Sequence, residues 1–446
     1  MAITTEGELM DKIVTLCKRR GFVFQSSEIY GGFNGFWDYG PYGTAMKRAI
    51  EQLWWSEMVE KRDDVVGLDS TVICHPKVWK ASGHIDRFGD IMCDCKHCKA
   101  RHRVDQMPDP KVCPNCGSTD LTPPREFNLM MKTYVGPVFD DEHVAYLRAE
   151  TCQPIFVDFH LIRIATRMQL PFGIAQIGKA FRNEIVARQF IFRMREFEPM
   201  EMQFFIKPGT ELDWFAKWKE NRMAWHKALG MGDENYRFHD HDKLAHYANA
   251  ATDIEFRFPF GFKEVEGIHS RTDFDLGNHQ KFSGKKIQYF DPEAGENYVP
   301  YVVETSVGVD RMFLAVLSNA YKEEQLENGE SRVVLSIPAP LAPVKVAVLP
   351  LVKKDGLPEL AREIMDELKY DFNCQYDEKD SIGKRYRRQD AIGTPFCVTI
   401  DHDSLNDRCV TIRHRDSMQQ ERVKIEDLHG IIAKEVNLSN ILKKLK

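Results

Sequence analysis

Residues 173–184 read GIAQIGKAFRNE, and after an intervening loop residues 193–198 read RMREFE. The first stretch is apolar and β-like before it turns charged, which predicts a strand, a charged loop and a returning strand. Such a hairpin would gather Arg182, Glu184, Arg193 and Phe197 around one hollow. Two guanidinium groups suit a polyphosphate through bidentate, charge-assisted bonds. A phenyl ring can stack on a purine, and a carboxylate can accept a hydrogen from its exocyclic amine. On these residues alone, a surface hairpin with ordinary ion pairs is the simpler account. Residues 173–180 also come close to G-x4-G-K-[ST], but Ala180 stands where a hydroxyl would hold Mg²⁺. A P-loop is therefore rejected.

Working outward, residues 304–311 read ETSVGVDR and run into the apolar segment MFLAVL at 312–317. Gly308 would let the backbone approach a ligand closely, and Arg311 would sit in the first turn of a helix. In isolation, a glycine at such a strand-to-helix junction is a packing feature. Segments near 155–160, 173–184, 193–206, 254–258 and 299–305 read as strands, with helices interspersed irregularly. This predicts an α+β body on a mostly antiparallel sheet. Leu212, Phe215, Trp218, Trp225 and Leu229 recur at helical spacing and read as a packing stripe.

The clearest boundary is the proline-punctuated IPAPLAPV at 337–344. Beyond it come a β-branched run at 344–351, a helical pattern at 357–370, the segment 373–376, a basic helical segment near 383–391 and a strand at 396–400. A small α/β domain with several parallel strands is predicted over 343–446. Within it, 379–388 concentrates Lys379, Lys384, Arg385, Arg387 and Arg388 around Tyr386, with Asp380 as the one acid. On these residues alone a solvated helix face is the simpler account; phosphates and an unstacked base would also suit them.

The cysteines carry the strongest metal signal. Cys95-x2-Cys98 and Cys113-x2-Cys116 are two knuckles that would complete a closed tetrahedral Zn²⁺ shell, with Pro114 and Gly117 at the turn. Four sulfur ligands leave no open position, so the role is structural. Cys93 and His97 are possible substitutes that break the paired spacing. All told, the 446 residues contain 11 cysteines, an odd number unlike a secreted disulfide scaffold. The chain carries 61 basic and 67 acidic residues, a net charge of −6, which argues against a uniformly basic surface. Met1–Arg20 shows no apolar signal region, and no run approaches the ~20 apolar residues of a membrane span. A soluble, cytoplasmic protein with no membrane association is expected.

Together the 181–197 and 304–311 stretches resemble motifs 2 and 3 of class II aminoacyl-tRNA synthetases, FRxE…RxxxF and a glycine-rich turn ending in arginine. More narrowly, CKRRGFVFQSSEIYGG (17–32), WDYGPYG (37–43), SGHIDRFGD (82–90), LRAETCQPIF (147–156), EVEGIHSRTDFDLG (264–277) and YVVETSVGVDR (301–311) resemble the homodimeric glycyl-tRNA synthetases. LAPVKVAVLPL and IGKRYRRQDAIGTPF resemble that family's anticodon-binding domain. The resemblance implies a class II antiparallel core over 1–342, with a zinc-ribbon-like insert at about 93–125 and a helical insert at about 207–250. An anticodon-binding domain would follow at 343–446.

It further implies the ligation of glycine to tRNA(Gly) through glycyl-adenylate, with ATP as substrate, Mg²⁺ as its companion ion and a homodimer formed through 67–84. Arg182 would contact the α-phosphate and Arg311 the γ-phosphate, both as catalytic groups. Phe197 would stack on adenine and Glu184 read its amine, with Asn183, Phe192, Arg193, Glu264, Val265 and Gly308 completing the nucleotide site. Glycine would meet Arg103, Glu150, Phe197, Glu201, Glu304, Ser306 and Gly308. The chain departs from the family at Thr305, where proline is usual, and at Cys152-Gln153-Pro154, where alanine-glutamine-glycine is usual. A synthetase for threonine, proline or histidine would share the core, but 264–277 and 301–311 favour glycine. A non-catalytic tRNA-binding paralogue would be expected to lose one or both motif arginines, and both are present.

Overall fold

The computed structural model describes residues 6–245, 247–326 and 329–445. Its centre is a seven-stranded sheet in the order Tyr236–Asp240, Ala250–Phe258, Gly261–Thr272, Tyr301–Gly308, Pro199–Ile206, Phe172–Ile177, Val65–Gly67. All neighbours are antiparallel except the last pair, where Val65–Gly67 runs parallel to Phe172–Ile177.

Alternation along these strands sorts the side chains into two layers. On one face Met200, Met202, Phe204, Val303 and Val307 pack with Phe313 and Leu314 of the helix Val309–Ala320. On the other, Phe172, Ile174, Phe205 and Val302 pack with Ile155, Phe156 and Phe159 of the helix Cys152–Thr166. Farther along that second face the residues change to Gln176, Glu201, Gln203, Glu304 and Ser306, paired across the strands. The polar end of this face is where the candidate site lies.

Two sequence expectations are corrected here. The stretch 155–160, expected as a strand, belongs to the helix Cys152–Thr166. A short apolar run does not distinguish a strand from a buried helix. Here Ile155, Phe156 and Phe159 face the core while Val157 and Leu161 face outward, a helical pattern. Segment 207–250 is not helical throughout: the helix Glu211–Ala228 lies on the sheet, and Tyr236–Asp240 is the sheet's edge strand. Of the expected stripe, Trp218, Trp225 and Leu229 are buried, whereas Leu212 is exposed. Arg222 of that helix is buried and compensated by Glu57 at 2.9 Å and Glu266 at 2.7 Å.

The C-terminal sheet has the order Cys374–Tyr376, Val346–Pro350, Phe396–Ile400, Cys409–His414, Gln420–Lys424. Its first three strands are parallel, as expected, and the last two antiparallel. Helices Leu357–Leu368 and Leu428–Val436 cover one face and Ile382–Asp390 packs on the other. The chain then returns, so that Ile441 and Leu442 pack into the first core. Among the described residues, no helix is long and apolar enough to cross a membrane.

Candidate functional site

A cavity of about 270 Å³ opens where the polar face of the main sheet meets the hairpin from Ala180 to Phe197. Glu150, Arg182, Glu184, Phe192, Arg193, Phe197, Glu201, Glu264, Ser306, Gly308 and Arg311 line it, together with Asp310. The hairpin reading thus holds: Ala180 pairs with Phe197 and Phe181 with Glu196, bringing both charged stretches to one hollow. Gly308 ends its strand and Arg311 lies in the first turn of Val309–Ala320. A methyl group on Gly308 would meet nothing closer than Arg311 carbons at 3.6 Å, so this glycine is not forced by packing. What it leaves open is the cavity.

Four expected residues do not line the cavity. Val265 is buried in the core, and Asn183 donates its backbone N–H to Leu129. Arg103 is engaged by Asp90 at 2.8 Å and by Asp105 at 2.8 Å, on the strand leading from the cysteine knuckle. Glu304 lies behind the wall, accepting from Arg271 Nη1 and Gln203 Nε2, each at 2.9 Å.

The groups at the hairpin end of the cavity could take an anion and an amine. Neither Arg182 nor Arg193 forms an ion pair among the described residues. Arg182 is held instead between the rings of Phe88 and Phe197, 5.3 and 5.2 Å from their centroids. Arg311 lies over Phe192 at 4.5 Å and pairs with the half-exposed Glu264 at 3.0 Å, which holds that carboxyl below its usual range. Glu184 Oε2 is buried without a hydrogen-bond partner, an acceptor left for a donor that the chain does not supply.

Three carboxylates meet at the opposite end, in different electrostatic states. Burial alone would raise Glu304, but Arg271 and His269 outweigh it and hold the group at about 2. Glu150 is likewise depressed, with His84 Nε2 at 3.4 Å overcoming its burial. Among the described residues Glu201 forms no ion pair. Burial, then the charges of Glu304 and Glu150, push it up to about 7, although Thr151 N–H and Ser306 Oγ donate to it at 2.9 Å. An ammonium placed here would supply the missing charge.

Neither sequence departure breaks this arrangement. Thr305 points to the opposite face of its strand from Glu304 and Ser306. Pro154 occupies the first turn of its helix, where no N–H is required, and Cys152 Sγ donates to Glu150 at 3.0 Å. Arg271, His84 and Asp310 are site residues that sequence reasoning missed. Each lies in or beside a stretch already singled out, but a charge facing inward from an apolar segment was the only signal.

The four knuckle sulfurs lie within 4.8 Å of one another, with Cys95–Cys116 and Cys98–Cys113 both 3.6 Å apart. The edge of a tetrahedral sulfur shell with bonds of ~2.3 Å is roughly 3.8 Å, so the cluster fits a metal ion. Asn115 and the Ala100 N–H lower the Cys98 thiol to about 6, favouring thiolate. Cys93 is turned away toward Met107. In the basic C-terminal helix the expected nucleic-acid surface is reduced. Arg385 is buried against the Pro350 and Leu351 carbonyls, and Arg388 pairs with Asp377 and Asp380. Tyr386 hydrogen-bonds Thr399 at 2.6 Å instead of presenting a free ring edge.

A family model described as the class II core domain of tRNA synthetases (G, H, P, S and T) matches residues 136–320. Another, described as an anticodon binding domain, matches residues 345–435. A relative from Treponema denticola named glycine–tRNA ligase is 53% identical over 438 residues, covering 96% of this chain and 97% of that one. Relatives of the same name from Borrelia hermsii and Acetivibrio thermocellus are 52% and 50% identical. These cover 96% and 94% of this chain and 97% and 96% of their own. A solved structure described as the RNA binding domain of threonyl-tRNA synthetase from Cryptosporidium parvum Iowa II matches with a TM-score of 0.67 at 16% identity. It covers 95% of this chain and 98% of that one, a likeness of fold. With its antiparallel sheet, its arginine-lined cavity and about half of its residues shared with these relatives end to end, the chain belongs to the glycine–tRNA ligase family of class II aminoacyl-tRNA synthetases.

Proposed function

We propose that the chain joins glycine to ATP as glycyl-adenylate, releasing pyrophosphate, and then transfers the glycyl group to the terminal adenosine of tRNA(Gly). The observation that carries this reading is one cavity with unpaired guanidinium groups and the orphaned Glu184 at one end, and the uncompensated Glu201 at the other. Glycine's carboxylate oxygen attacks the α-phosphorus and the bond to pyrophosphate breaks. Arg182 neutralises charge on the α-phosphoryl oxygens and Arg311, released from Glu264, that on the γ-phosphate. Phe197 stacks on adenine while Glu184 accepts from its amine, with Phe192, Arg193 and Gly308 around the same nucleotide.

Glu150, Glu201 and Ser306 surround the glycine ammonium, Glu304 fixes their field from behind, and Phe197 and Gly308 bound the space. Arg103 would reach this pocket only by leaving Asp90 and Asp105. No nucleophilic side chain is needed, so positioning carries the rate. Exclusion of a methyl group by clash exceeds the ~1–3 kcal/mol that a missing methylene offers a pocket.

Mg²⁺ suits the oxygen ligand that Glu264, once freed from Arg311, presents on the cavity wall, and when bound it would neutralise phosphate charge. We assign Zn²⁺ to the four-cysteine cluster as a structural ion. Purified protein is expected to contain close to one zinc per chain by elemental analysis, and its absence would remove this assignment.

We read 1–342 as the catalytic domain, with inserts at about 93–125 and 207–250, and 343–446 as the anticodon-binding domain. A second apolar core within 346–436 and separate family matches support this division. A homodimer is supported by the exposed Val157, Leu161 and Ile164, one stripe of a helix, together with exposed Ile73 in 67–84. Eleven free cysteines fit a reducing cytoplasm.

Glycine-dependent ATP–pyrophosphate exchange, followed by charging of tRNA(Gly), tests the reading; exchange driven by another amino acid in preference to glycine would refute it. The KM for glycine should also carry the Glu201 titration. That group is raised to about 7, so below this pH it holds a proton that must leave before the ammonium binds. Glycine KM is expected to rise roughly tenfold from pH 8 to pH 6. A flat profile would mean that Glu201 is not the ammonium partner.

A further inference from the structure

At the cavity floor lies a largely buried cluster whose side chains the proposed chemistry does not employ. Asp310, beside Arg311, is only 4% exposed. Its Oδ1 accepts from Tyr39 Oη at 2.5 Å and its Oδ2 from the Glu198 N–H at 2.9 Å. The Val309 N–H in turn donates to the Glu198 carbonyl at 2.9 Å. Two hydrogen bonds therefore clamp the start of the Arg311 helix to the residue following Phe197. The Glu198 carboxylate pairs with Lys47 of the helix Pro41–Trp55, and Lys47 lies 3.5 Å from Glu51 and 5.1 Å from the centroid of the Tyr39 ring. Tyr39 is fixed in turn by an edge-on contact with Phe313, at 5.0 Å between centroids.

Charge makes this cluster more than packing. Glu51 and Glu198 pair with the half-buried ammonium of Lys47, which also feels the charge of Asp310, with Lys179 at 4.0 Å from Glu198 and Arg48 at the rim beside Glu51. Arg311 is a cation in the first turn of a helix, an end that favours negative charge. Asp310 supplies that negative charge one residue away, while its two bonds prevent it from folding over to neutralise the guanidinium. Arg311 thereby remains directed at the cavity.

We propose that Tyr39 and Lys47, acting through Asp310, are positioning residues that aim Arg311 at the nucleotide. The proposal rests on the glycine-activation reading, and wild-type exchange tests that reading separately. Tyr39→Phe removes one oxygen and leaves the ring in place. Its ATP KM in pyrophosphate exchange should rise roughly tenfold, the effect of leaving a buried acceptor without its donor, with a fall in kcat and glycine KM within about twofold. Lys47→Met should reproduce the ATP-specific pattern, and Lys47→Arg should restore most of the loss. Unchanged ATP parameters in Tyr39→Phe would overturn the proposal. So would equal rises in both KM values that track a lowered Tm, since these mark a merely structural contact. Should Lys47→Met not fold, Tyr39→Phe decides alone.

Discussion

Replacing Arg311 with alanine is expected to reduce glycine-dependent ATP–pyrophosphate exchange by roughly 10³-fold, about 4 kcal/mol of transition-state stabilisation. The size follows from the setting. Arg311 lines a partly enclosed cavity, its one ion-pair partner Glu264 is half-exposed, and its Nη1 also meets the Glu264 carbonyl at 3.0 Å. In that setting a fixed cation opposite developing phosphoryl charge is little screened by water. Stability should barely change, because a cation in the first turn opposes the helix dipole and its removal relieves that cost. The purified variant should therefore keep the wild-type Tm and oligomeric state while failing in exchange. Exchange at the wild-type rate would refute the γ-phosphate assignment.

Glu304→Gln should act on the other substrate. Glu304 is 4% exposed and accepts from Arg271 and Gln203, and His269 Nδ1 lies 3.2 Å away. An amide cannot satisfy three surrounding donors, and Arg271 would be left with Asp275 alone as its partner. Breaking a buried pair in this way costs about 3 kcal/mol of stability. The charge that holds Glu201 and Glu150 in their present states is lost as well. Glycine KM is expected to rise roughly 10²-fold, about 2.7 kcal/mol, with ATP KM nearly unchanged. Equal losses for both substrates would mark Glu304 as structural only. Its depressed pKa of about 2 also gives a sign for acid stability. The ionised group stabilises the fold above the unfolded value of roughly 4.3, and this contribution disappears as the pH falls through about 2.

The half of the cavity proposed for the nucleotide was legible in the sequence as a cluster because its residues are local. Arg182, Glu184, Arg193 and Phe197 belong to one hairpin, and Gly308 and Arg311 to one strand-to-helix turn. The cysteine knuckles were legible for the same reason: a C-x2-C spacing determines where two sulfurs can point. The glycine half was read only through family resemblance, and incompletely. Arg271 meets Glu304 across neighbouring strands, His84 reaches Glu150 from the short helix His84–Arg87, and Tyr39 reaches Asp310 from the strand Trp37–Tyr39. No periodicity announces such pairs. The 379–388 segment shows the reverse failure. Its basic residues suggested an open nucleic-acid surface, yet Arg385 and Arg388 are consumed by carbonyls and carboxylates of their own domain.

By itself the sequence determined the chemical groups available, the α+β class with a separate α/β end, and which short stretches turn tightly enough to present them. Local geometry governs those properties, through side-chain alternation and helical turns set by bonded neighbours. The tertiary structure alone decided that 155–160 is helix, that Thr305 faces away from the pocket, and that Glu201 remains without a cation while Glu304 and Glu150 have theirs. Burial and charge are sums over partners distant in sequence, so three similar carboxylates acquire different states only once the sheet has brought those partners together.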